Sequence, residues 1–169
     1  MQGQNNAEEI TVLNNGSIKR VISGYQDNKG ITSSSMTLFE SEKEFLDRGS
    51  EEFYFELEVI PVTGQNNWKL VSVRDVEDAY QGKGKIIQMD LKEPSLKIEI
   101  TYMLYPDLPI IRKKIAFLNQ GDESMNLEKL DIERIRFKNA KTGVHSWIMN
   151  NYARQKALGQ FISDWYDPV

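Results

Sequence analysis

The strongest constraint on this chain is an alternation of apolar and polar residues at period two, recurring in short runs bounded by Asn, Asp, Gly or Pro. Period two sends alternate side chains to opposite faces of an extended strand, so such runs read as strands with one face turned to a core. Leu96–Tyr105 is the clearest, with Leu96, Ile98, Ile100, Tyr102 and Leu104 opposed to Lys97, Glu99, Thr101, Met103 and Tyr105. In Phe53–Ile60, Phe53, Phe55, Leu57 and Val59 share a face that is expected to be buried. In Ile110–Leu118, Lys113 shares a face with Ile111, Ile115 and Phe117, whereas Arg112 and Lys114 lie on the other. Arg112-Lys113-Lys114 is therefore not a contiguous basic stripe.

Further strands are expected at Glu9–Leu13, Ser17–Tyr25, Met36–Phe39, Trp68–Asp75, Lys85–Leu91, Leu127–Phe137 and Val144–Met149. Between them lie Asn14-Asn15-Gly16, Asp27-Asn28-Lys29-Gly30, Gly64-Gln65-Asn66-Asn67, Gly82-Lys83-Gly84 and Asn119-Gln120-Gly121-Asp122, residue types that tolerate the positive φ of tight turns. Pro61, Pro94, Pro106 and Pro109 fall at strand ends or connections, where a missing N–H costs no ladder bond. Ser41–Arg48 is the one helical candidate, with Ser41 as N-cap, Glu44 as its capping-box partner and Gly49 as the stop. The fold class is thus all-β, an antiparallel β-sandwich with at most short helical pieces. Residues 1–149 form the sandwich domain. Residues 150–169 lose the alternation, gather aromatics and read as an exit segment toward a further domain.

Composition narrows the chemistry. The 169 residues contain no cysteine and one histidine, His145, which removes thiolate nucleophiles, sulfur-based zinc sites and His-cluster metal centres. Neither a metal nor a cofactor is expected. With 21 Lys and Arg against 25 Asp and Glu, the net charge of −4 argues against nucleic acid, which is bound through clustered cations. No stretch approaches the roughly 20 apolar residues of a membrane helix. Met1–Glu9 lacks the apolar core of a secretory signal, so the compartment stays open between cytoplasm and periplasm or export. Paired carboxylates survive this elimination, since they need neither Cys nor His.

Several local patterns have plain readings. Gln81-Gly82-Lys83-Gly84-Lys85 lacks phosphate-loop spacing and is expected to be a turn, and Asp75, Glu77 and Asp78 lack a calcium-loop pattern and are expected to be a solvated loop. Asn15-Gly16-Ser17 matches a glycosylation acceptor but is first of all a hairpin turn. His145 shares a strand face with Trp147 and has no nameable catalytic partner. The most suggestive set is Trp147, Tyr152, Arg154, Asp164 and Trp165, with Lys156, Tyr166 and Asp167 nearby. Aromatic faces with charged hydrogen-bonding groups suit sugar rings, and the same residue types anchor a seam between domains.

Tyr102–Gly121, with Tyr-Pro-Asp-Leu-Pro leading into Ile-Ile-Arg-Lys-Lys and Asn119-x-Gly121, followed by Leu127-Glu128-Lys129-Leu130, resembles the N-terminal domain of α-galactosidase-type glycoside hydrolases of family 36. Asn151-Tyr152-Ala153-Arg154-Gln155-Lys156, Leu158-Gly159 and Asp164-Trp165-x-Asp167-Pro168 look like the end of that domain. The resemblance implies a supersandwich similar to galactose mutarotase. It places catalysis in a following (β/α)₈ barrel of about 250 residues, too long to be contained here, so no catalytic residue transfers. It also implies that Tyr152, Arg154, Asp164 and Trp165 lie near the junction with the barrel. Mutarotase activity itself is not expected, because that chemistry in the family uses two histidines.

The expected function is a non-catalytic accessory domain of a carbohydrate-active enzyme, partnered by a C-terminal catalytic barrel of the same polypeptide and bordering its galactoside or other oligosaccharide. The alternative is an independent carbohydrate-binding module. A small enzyme using Glu99 or Asp131 is a third reading, and homo-oligomerisation is left open.

Overall fold

The computed structural model describes residues 8–24, 30–40, 43–47, 50–138, 144–150 and 160–166, the last two stretches as backbone. The chain divides into two compact units, Met1–Arg136 and Phe137–Val169. All regular structure in the described residues is β.

The first unit holds three antiparallel sheets. One consists of β1 (Glu8–Asn14), β2 (Ile18–Gly24), β3 (Ile31–Leu38) and β4 (Lys43–Glu44) in sequence order. The second runs β10 (Ile111–Asn119), β9 (Leu96–Leu104), β8 (Gly82–Leu91), β7 (Lys69–Asp78). The third places β5 (Tyr54–Leu57) between β11 (Leu127–Asp131) and β6 (Ile60–Thr63). In the second unit β12 (Val144–Asn150) pairs with β13 (Gln160–Tyr166).

The first three sheets share one sandwich core, because the inward parity of each strand is apolar. Leu13, Ile18, Ile22 and Ile31 from the first sheet meet Ile87, Met89, Ile98, Ile100 and Tyr102 from the second. Phe53, Phe55 and Trp68 fill the space beside them, with Phe53 5.7 Å from both other rings and Phe117 5.1 Å from Phe55. The Trp68 indole N–H donates to the Thr63 carbonyl at 2.8 Å, so this large ring is buried without an orphaned donor. At one end Asn15 ties two sheets together. Its side-chain amide donates to the carbonyls of Tyr105 (2.6 Å) and Leu108 (2.8 Å), while its oxygen accepts from the Ser17 and Ile18 amides. A sugar on Asn15 would displace the two donated bonds.

Five local expectations are corrected. Phe53–Ile60 is not one strand: Glu58 (φ 48°) and Val59 (φ 66°) form a tight turn between β5 and β6, and Val59 is 76% exposed rather than buried. No Gly or Asn marks this turn, and positive φ in a β-branched residue is an outlier. Residues 43–47, expected to be helical, include the edge strand β4 instead. Here the Glu44 carboxylate accepts the Met36 and Leu46 amides and Leu46 is buried, contacts a surface helix would forgo; Ser41 and Arg48 lie outside the described residues. Gly82-Lys83-Gly84 opens β8 rather than forming the turn, which is residues 79–81, where Asp78 accepts the Tyr80 and Gln81 amides. Asp75, Glu77 and Asp78 accordingly lie on β7, and Asp75 pairs with Lys85 at 2.6 Å. Finally, Pro61 sits within β6, an edge strand that tolerates a missing N–H.

Gly84 explains why glycine occupies a strand. A Cβ there would fall 1.9 Å from the Tyr102 carbonyl oxygen, which is backbone and cannot swing aside. Gly84→Ala is expected to destabilise by about 3 kcal/mol, the upper range for forced overpacking. At Gly16, whose φ is +86° but whose Cβ position is open, alanine is expected to cost only about 1 kcal/mol. Urea denaturation of the two variants beside wild type checks the order. Asn15→Ala, measured in the same way, is expected to cost about 2 kcal/mol for two lost bonds between sheets.

Candidate functional site

The first unit sets four formal charges against one another, three with buried side chains and the fourth at the solvent edge. Arg20 lies on β2 between Ile18 and Ile22, Lys113 on β10 between Ile111 and Ile115, and Tyr102 on β9 directly across from Lys113. All three take inward parity on their strands. Glu52 and Glu133 come from irregular segments joined by an antiparallel bridge between Glu51 and Arg134, whose amides and carbonyls exchange bonds of 2.8 and 3.1 Å. One step along that register, Glu52 stands beside Glu133.

Two adjacent carboxylates repel unless cations lie between them, and both cations here bridge the pair. Arg20 gives one guanidinium nitrogen to Glu133 at 2.6 Å and the other to both Glu52 oxygens at 3.1 Å, while its Nε donates to Ser33 at 2.7 Å. Lys113 Nζ is 3.0 Å from Glu52 Oε2 and 3.4 Å from Glu133 Oε1, and it also donates to the Glu52 carbonyl. Ser33 Oγ and the Tyr102 hydroxyl donate to the two Glu52 oxygens, one each. The Arg20 guanidinium and the Lys113 ammonium both lie 5.4 Å from the centre of the Tyr102 ring. Glu52 and Tyr102 are fully buried, and Glu133, at 26% side-chain exposure, forms the solvent edge of the network.

The titration behaviour follows from this geometry. Burial pushes the Glu52 carboxyl up, but Arg20, Lys113 and the hydroxyls of Ser33 and Tyr102 outweigh it and hold the group at about 2, below its ordinary 4.5. Burial likewise works against the Arg20 cation, and Glu52, Tyr102 and Glu133 more than offset it, raising Arg20 above its ordinary value. The Tyr102 phenol is raised by burial and by the charge of Glu52, so it remains a donor. Glu52 is thus ionised, saturated with donors and closed to solvent. It can neither give a proton nor reach a substrate, and the network acts as a cross-link between the two larger sheets.

A second feature is an open cavity of about 400 Å³ between the β5–β6 turn, the β8–β9 turn and the loop before β11. Leu57, Val62 and Met125 are among its apolar lining, and Glu58, Glu93 and Glu123 are its carboxylates.

Of the residues expected to form a site, Trp147 lies on β12 across from Ser163, Asp164 on β13 across from Ser146, and Trp165 on β13 across from His145. The hairpin thus brings three of them onto one pair of strands, and residues 160–166, expected to be irregular, are a strand. Tyr152 and Arg154 lie outside the described residues. Glu99 accepts from Gln88 at 2.8 Å and Asp131 accepts from Arg134 at 2.8 Å, so both carboxylates proposed for a small enzyme are engaged in side-chain pairs. The buried network was not anticipated, although Arg20 and Lys113 at apolar parity are its visible signal. Comparison with known proteins gives no match to a family model, a curated protein or a solved structure.

Glu52→Gln leaves Arg20 and Lys113 with Glu133 as their one remaining carboxylate in the network, and is expected to cost about 3–5 kcal/mol at pH 7. Because the Glu52 carboxyl is depressed on folding, its stabilisation is complete above about 4.5 and is lost as pH falls toward about 2. The gap between wild type and Glu52→Gln should therefore shrink between pH 4.5 and 2.5, as read from urea midpoints across that window.

Proposed function

We propose that this chain is a non-catalytic accessory domain of a carbohydrate-active enzyme, similar to the N-terminal supersandwich of α-galactosidase-type glycoside hydrolases. In this reading it packs on a (β/α)₈ catalytic barrel, and Tyr152, Arg154, Asp164 and Trp165 border the sugar pocket near the junction. The observation that carries the non-catalytic part is the occupation of Glu52 and Glu133: retaining glycoside hydrolysis needs one carboxylate free to attack and another poised to exchange a proton, both open to substrate. Here the adjacent pair is neutralised by Arg20 and Lys113. The carbohydrate part rests on the sequence resemblance.

The surface of the first unit supports a docking role. β11 is an edge strand, and Leu127, Leu130 and Ile132 on and just after it are between 40% and 48% exposed. An open edge carrying apolar side chains is a liability unless another surface covers it.

The reading frame beyond the Val169 codon is expected to encode a barrel with two carboxylates placed for retaining hydrolysis. The purified 169-residue chain should neither turn over an aryl α-galactoside nor bind galactosides in calorimetric titration. In the complete enzyme, Trp165→Ala and Arg154→Ala should each lower substrate affinity or turnover about tenfold. A frame that stops at Val169, or turnover by the chain alone, would overturn the proposal; tight galactoside binding by the chain alone would replace it with an independent carbohydrate-binding module.

A further inference from the structure

The 400 Å³ cavity has the size and lining of a small-molecule site. Pockets of about 300–1,000 Å³ with an apolar floor and a few polar groups are the usual form of such sites. Leu57 and Val62 are buried, so the floor is the exposed end of the core itself. Pro94 and Met125 add apolar wall, and Ile60, 61% exposed, extends it to the lip.

Charge on the rim is of one sign. Glu58, Glu93 and Glu123 all line the cavity, all are exposed, and none forms an ion pair among the described residues. No Lys or Arg is among the lining residues. Glu58 is held at the rim by the left-handed turn it shares with Val59, with its amide donating to the Asn126 carbonyl at 3.2 Å. Three exposed carboxylates therefore stand around one apolar surface with no cation in its lining.

We propose that this cavity binds a small organic cation, an ammonium or guanidinium group on an aliphatic or aryl body. The body occupies the floor of Leu57, Val62 and Met125, and the cation sits among the three carboxylates. An anion is repelled from the same place, and a neutral isostere gains the apolar contact without the charge term. The site is separate from the buried network and does not depend on the carbohydrate reading.

Titration of the full ¹⁵N-labelled chain with 2-phenylethylammonium, 2-phenylethanol and phenylacetate, followed by amide chemical shifts, tests it. The ammonium compound is expected to shift the amides of Leu57, Val62 and Met125 with an affinity about tenfold above the alcohol and further above the carboxylate. Raising the salt from 20 to about 300 mM should narrow that difference, since the carboxylates are exposed. A Glu58→Gln, Glu93→Gln, Glu123→Gln variant changes surface charge only; it should keep the wild-type spectrum elsewhere and bind the ammonium compound no better than the alcohol. Equal binding of all three compounds, shifts confined to other parts of the chain, or undiminished ammonium binding by the triple variant would each overturn the proposal.

Discussion

Two carboxylates set side by side inside a sandwich are the constraint on which the rest of the first unit depends. Glu52 and Glu133 are adjacent because the segments around Glu51 and Arg134 pair as a short antiparallel bridge. That pairing is tolerable only if positive charge arrives from elsewhere, and it arrives from both larger sheets, as Arg20 from β2 and Lys113 from β10. The apolar faces of β2 and β10 already oppose a slip by one residue, which would turn their inward isoleucines to solvent. The ionic core adds to that penalty, because the same slip would turn Arg20 or Lys113 outward and leave a buried carboxylate unpaired. The network therefore reinforces the register of β2 and β10.

The same reasoning explains why the network includes hydroxyls. Arg20 and Lys113 alone would balance the charge but would not fill every acceptor position on the fully buried Glu52. Ser33 and Tyr102 supply the remaining donors, so each Glu52 oxygen is bonded by the guanidinium and by one hydroxyl. Both cations also lie 5.4 Å from the centre of the Tyr102 ring, within reach of attraction to its electron-rich face. A group this completely engaged is poorly suited to catalysis, which needs a lone pair or a proton that can change partners during the reaction.

The sheets were legible in the sequence because alternation against a core is a local signal. Leu96–Tyr105 and Ile110–Leu118 read correctly nearly to the residue, and the hairpin at Asn14-Asn15-Gly16 carries its own turn chemistry. β3 starts at Ile31, earlier than expected, because its inward position 33 is a serine committed to Glu52 and breaks the apolar pattern. The turn at Glu58-Val59 was hidden for the opposite reason: its residues continue the strand pattern and adopt left-handed φ without glycine. Gly82 and Gly84 misled because glycine has two uses, and here it admits the backbone of β9 rather than reversing the chain. The buried charges were half visible. Parity placed Lys113 and Tyr102 on the inward face, but Glu52 precedes β5 and Glu133 follows the point, Asp131, at which the strand expected over Leu127–Phe137 ends, so their meeting depends on a long-range bridge that no local pattern records.

The network and the cavity treat negative charge in opposite ways, and the contrast separates structural from ligand-directed groups. Within the core, Glu52 is surrounded by donors on every side, as a buried carboxylate must be if it is to stay ionised. At the cavity, water can solvate Glu58, Glu93 and Glu123, so folding does not require cations beside them. Their position against an apolar floor is then not dictated by stability. The Glu58-Val59 turn strengthens this distinction, since left-handed backbone at two non-glycine residues costs energy that a Gly-containing turn would avoid. A fold that spends stability to hold a carboxylate at the mouth of an apolar cavity has its charge arranged for something outside the chain, whereas the charges in its core are arranged for the chain itself.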